Sequence, residues 1–66
     1  MKIKDFMNII LPWQDLIIYD QYTTDLSEPL FKREMIDGKW NQPNECILEM
    51  DIVSIDAKWN TLVLYI

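Results

Sequence analysis

The chain has no histidine, one cysteine and one glycine in 66 residues, and each scarcity removes a class of chemistry. Without histidine no side chain titrates near neutral pH in its ordinary state, so general acid–base work lacks its usual agent and a Cys/His zinc site cannot be assembled. A lone thiol, Cys46, makes no internal disulfide. It stands beside Glu45, whose negative charge disfavours a thiolate, so a half-buried, inert cysteine is expected in place of a nucleophile. Gly38 alone cannot build a phosphate-cradling loop, and no nucleophile elbow occurs. No segment approaches the ~20 apolar residues of a membrane span, and Asp5 and Asn8 interrupt the start, MKIKDFMNIILP, where a signal-peptide core would lie. These gaps lead us to expect no enzyme, cofactor, metal or membrane association, and a cytoplasmic setting.

Cations are also scarce. Six Lys and Arg face eleven Asp and Glu, a net charge of −5. Each phosphate contact needs a cation, so direct nucleic-acid binding is disfavoured and a partner with a basic surface is favoured. Acidity that merely keeps a small protein in solution is the plainer alternative. Half of the residues are apolar, a globular composition. We read residues 1–66 as one domain, which at this size buries only ~60% of the surface its unfolded chain exposes. A thin core with no disulfide or metal to staple it makes burial against another chain attractive.

Along the chain, Ile3, Phe6, Met7 and Ile10 recur at i, i+3, i+4 and i+7, which predicts a short helix that Pro12 ends by Leu11. QDLIIYD, residues 14–20, reads as a strand and QYTTDLSEP as a polar loop. Residues 27–37 are ambiguous. Ser27, Pro29 and Gly38 would frame a helix, whereas Phe31, Arg33 and Met35 alternate with Lys32 and Glu34 as in an edge strand, the reading we favour. Asp37-Gly38 and Gln42-Pro43-Asn44 mark turns. In CILEMDIVSID the alternation of Leu48, Met50 and Ile52 with Glu49 and Asp51 predicts a half-buried strand with a bulge near Ile52. A turn over residues 56–60 then returns the chain as TLVLYI, pairing back on its predecessor. The expected fold is α+β: one short N-terminal helix on a small antiparallel sheet of about four strands.

Two strands fail to alternate. In TLVLYI, Leu62, Leu64 and Ile66 point one way while Val63 and Tyr65 point the other, and LIIY repeats the pattern. One short helix shields one face of a sheet. The other face, Ile17 and Tyr19 with Val63 and Tyr65 and with Val53 and Ile55 beside them, is therefore a candidate oligomer interface. The loops over residues 20–29 and 37–45, folded across it, are the alternative cover. Trp13, Trp40 and Trp59 sit next to breaks in the pattern and Tyr22 lies in the polar loop. Tryptophan and tyrosine bury much area at little entropic loss, so Trp40, Trp59 and Tyr22, with Glu49 and Asp51 as solvent-facing charges, form the candidate partner-binding set. Tryptophans that simply cap the ends of the core are the alternative.

The segments MKIKDFM, LIIYD and LVLYI resemble a group of small proteins of phages, prophages and other mobile elements of Firmicutes, whose outline is a short N-terminal helix followed by a small antiparallel sheet. The segment DGKWNQPNE matches no part of that pattern. The resemblance implies a bacterial host and an anti-CRISPR or other anti-defence inhibitor. Three functions therefore stand: an inhibitor of a host defence protein, a homo-oligomeric structural or regulatory module, and a metal-dependent enzyme acting on DNA, for which Asp15, Asp20 or Asp56 would have to converge.

Overall fold

The computed structural model describes residues 1–22 and 27–66. Its elements are α1 (Ile3–Met7), β1 (Asp15–Tyr19), β2 (Phe31–Lys32), β3 (Met35–Ile36), β4 (Lys39–Trp40), α2 (Glu45–Leu48), β5 (Ser54–Lys58) and β6 (Thr61–Tyr65). The four-stranded sheet runs β2-β1-β6-β5, with β3 and β4 as a separate hairpin, so the α+β class expected from the sequence holds.

The sheet is mixed, not wholly antiparallel. β6 pairs antiparallel with β5 as expected, but its other neighbour, β1, runs parallel to it from Asp15↔Thr61 to Tyr19↔Tyr65. This explains the two strands that do not alternate. β1 and β6 are the central pair, and parallel central strands carry apolar residues on both faces. On the inner face Leu16, Ile18, Leu64 and Ile66 meet Ile3 and Phe6 of α1 and Phe31 of β2, with Ile47, Leu48 and Ile52 packed around them. The spacing predicted for α1 is the spacing that buries it: Ile3 and Phe6 lie inside, and Met7 and Ile10 pack against the same cluster. Asp5 accepts from the Lys2 backbone N–H at 3.4 Å, which satisfies one donor at the start of this short helix.

The strand reading of residues 27–37 holds only for Phe31–Lys32 and Met35–Ile36, which form β2 and β3 in separate sheets with Arg33 and Glu34 between them in neither. Asn41 fixes the step between them, donating to the Lys32 carbonyl at 2.9 Å and accepting from the Glu34 N–H at 2.7 Å. Asp37 and Gly38 both have positive φ, 52° and 78°, the requirement of a I′ hairpin turn between β3 and β4.

The half-buried strand expected over CILEMDIVSID is not formed. Residues 45–48 are the helix α2, Asp51 makes only an isolated bridge with Lys2, and β5 begins at Ser54, with no bulge at Ile52. The cause is Asn44, whose side chain caps the helix by accepting from the Ile47 N–H at 2.9 Å. α2 packs against α1 and brings Ile47 and Leu48 to the core, so two helical turns, not one, cover the inner face. The last hairpin is also tighter than expected. β5 continues to Lys58, which pairs with Thr61, leaving Trp59-Asn60 as the turn in place of residues 56–60.

Candidate functional site

The β5–β6 turn presents the most exposed large hydrophobic side chain among the described residues. Trp59 is 102% exposed relative to a reference residue, and its φ is +58°. Asn60 beside it does not share the positive φ. Two-residue hairpin loops with positive φ at the first position normally place glycine there, because a Cβ in that conformation meets the neighbouring backbone. A bulky aromatic is therefore held in an unfavourable backbone conformation while making no packing that repays it.

A second indole stands nearby. Trp13, in the connection from α1 to β1, is 61% exposed, and with Trp59 it lines a cleft of about 390 Å³ at this end of the sheet. The Gln14 amide ties the two sides together, donating to the Asn60 carbonyl at 2.6 Å and to the Asp15 carbonyl at 3.1 Å. Asp15 is the one formally charged residue lining the cleft, and its carboxylate has no hydrogen-bond or ion-pair partner among the described residues.

The expected partner-binding residues do not form one patch. Trp40 is half-buried on β4, opposite Met35, while Tyr22 is 83% exposed beyond the end of β1. Glu49 is the C-cap of α2, not a strand residue, and receives Lys2 Nζ at 3.0 Å and Lys4 Nζ at 2.9 Å. Hydrogen bonds from Lys4 and then Lys2 hold its carboxyl below the usual range, and the Glu49 bond raises Lys2 in turn. Two internal lysines thus neutralise a charge that the sequence offered to a partner. Asp51 is exposed, but its backbone bridges Lys2.

The outer sheet face is partly closed by its own side chains. Tyr19 and Val63 are buried at 9% and 6% exposure, and the rings of Tyr19 and Tyr65 stack with centroids 5.9 Å apart. Ile17 and Tyr65 remain half-buried around a hollow of about 250 Å³, with Lys58 and Trp59 at its rim. Ile55 does not belong to this face: it pairs with Leu64 and so points to the helical side, on the edge strand. Every residue of β5 is exposed, and Val53 and Ile55 are 57% and 52% exposed. Of the loops suggested as a cover, residues 23–26 lie outside the described residues.

Two further residues depart from expectation. Cys46 is exposed on α2, not half-buried at a strand start. Arg33, read as part of an edge strand, is buried at 6% exposure. Its guanidinium donates to the Leu11 and Pro12 carbonyls at 3.1 and 3.0 Å and approaches the Met7 sulfur at 3.5 Å, while its Nε finds no acceptor. Burial pushes its pKa down from the usual value. The signal was present in the alternation itself, since Arg33 shares the parity of buried Phe31.

Among the described residues no three carboxylate or thiol groups come close enough to share a metal ion, so Asp15, Asp20 and Asp56 do not converge. Nor is any helix among them long and apolar enough to cross a membrane. Comparison with protein-family models, with curated proteins and with solved structures finds no match for the chain.

Proposed function

We propose that this chain is a non-catalytic binding protein that docks on a host protein with a basic surface, an anti-defence inhibitor of the kind its resemblance to phage proteins implies. The observation that carries the reading is Trp59, fully exposed at positive φ on a tight turn. A residue that contributes no packing and strains the backbone serves the fold badly, and exposed tryptophan is the side chain that most often anchors a protein interface. The net charge of −5 steers such an encounter toward cations and away from nucleic acid. Trp13 joins Trp59 in the anchor, in place of the half-buried Trp40.

Affinity capture from a bacterial lysate, followed by binding kinetics with the purified partner, tests this. The expected partner is basic, its on-rate falls steeply as salt is raised, and Trp59→Ala dissociates faster without losing its fold. A partner that binds equally well at high salt and to Trp59→Ala contradicts the reading.

A second reading is favoured by one observation, the full exposure of β5. An edge strand paired on its β6 side alone among the described residues, carrying exposed Ile55 and preceded by exposed Val53, is a surface on which a second copy can add. Light scattering separates the two readings, since a tight homo-oligomer dispersed by Ile55→Lys belongs to the second.

A further inference from the structure

We propose that the cleft between Trp13 and Trp59 takes the guanidinium of an arginine side chain presented by the protein partner, with Asp15 as its counter-ion. This deepens the binding reading above and rests on it. The argument begins with the charge of the cleft. Of the residues lining it, Asp15 alone is formally charged, and its carboxylate is unpaired among the described residues. Lys32 and Arg33 lie with Asp15 around the neighbouring hollow, yet neither makes an ion pair with it. Arg33 is already occupied by the Leu11 and Pro12 carbonyls.

An acceptor adds to that charge. The Gln14 amide nitrogen serves the Asp15 and Asn60 carbonyls, which leaves its side-chain oxygen as an acceptor for a ligand in addition to the Asp15 carboxylate. The Asn60 amide, the Thr61 hydroxyl and the indole N–H groups can still donate, so it is the unpaired negative charge that selects a cationic occupant. Two exposed indoles add a preference for a cation, because the ring quadrupole attracts positive charge over its face, tryptophan most strongly. A volume of about 390 Å³ is too small for a folded element and leaves room for one long side chain. Among biological cations, guanidinium matches the set most completely: it is planar, stacks on indole, and presents its donors as a fork suited to a carboxylate. Lysine offers the charge without the plane.

The probe is N-acetyl-arginine methylamide, titrated into the full chain while the three indole N–H signals are followed by NMR. Its citrulline counterpart, of the same shape without the charge, is the comparison. The expected result is saturable movement of the Trp13 and Trp59 signals, with Trp40 unmoved as an internal control, and binding at least tenfold weaker for citrulline. Asp15→Asn should remove most of that preference. Asp15 is exposed at the start of β1, and a native-like spectrum of the variant confirms that the fold is kept. The proposal is overturned if citrulline binds as well as arginine, if all three indoles shift together, or if no saturation is reached. Loss of the captured partner in Trp59→Ala alongside a failed arginine titration would sink this inference alone. Arginine binding to a chain that captures nothing through Trp59 would sink the broader reading and leave the cleft chemistry standing.

Discussion

Arg33 shows how much one buried side chain can organise in a chain this small. Its guanidinium bonds the carbonyls of Leu11 and Pro12, and so pins the connection between α1 and β1 to the strand region that follows β2. Hydrogen bonds from a charged donor are worth about 1.5–3 kcal/mol, and a domain of this size holds only about 3–5 kcal/mol in its core. Arg33→Ala should therefore lower stability by about 2 kcal/mol and the melting temperature by ~10 °C, measured by circular dichroism. An unchanged melting temperature would mean that the guanidinium lies in water. The sequence carried this only in disguise. Phe31, Lys32, Arg33 and Glu34 alternate inside and outside, but an arginine at an inward position reads as a solvated edge, because nothing local announces the two distant carbonyls that receive it.

At the scale of elements, legibility followed length and packing. The period of Ile3, Phe6, Met7 and Ile10 exposed α1, and the apolar runs LIIY and TLVLYI exposed the central strands, because burial on one or both faces dictates those patterns. The parallel pairing of β1 with β6 was not legible, since it depends on where the residues between them travel. α2 was misread because a helix of four residues is too short to show a period, and Leu48, Met50 and Ile52 imitate a strand. Its start was nevertheless signalled by Asn44 before the acidic Glu45, a cap and a favourable first-turn charge. Asn44→Ala should remove the bond to the Ile47 N–H and lower stability by about 1 kcal/mol, read as a lower urea midpoint with an unchanged slope. A midpoint that stays put would favour the strand first expected here. Reversing Glu49 to Lys is not a neutral probe of surface charge, because it would set a third cation against Lys2 and Lys4.

For the molecule as a whole, stability and surface pull against each other. Residues placed for the fold are buried on the inner face between two short helices and a mixed sheet. Trp59 and Trp13 are placed outside it, and Trp59 occupies its turn against the preference of its own backbone. The turn between β3 and β4 shows what the same chain uses where only folding matters, Asp-Gly at two positive-φ positions. Lys58-Trp59-Asn60-Thr61 has no glycine, so the tight turn was hidden in the sequence and with it the outward presentation of the indole. The thermal stability of Trp59→Gly tests this division most directly. Glycine removes the side chain and relieves the positive-φ conformation, offset in part by its greater unfolded-state freedom, so the melting temperature should match or exceed that of the native chain by up to ~5 °C. A fall of ~8 °C or more, the mark of a lost packing residue, would show that Trp59 belongs to the fold and not to a partner.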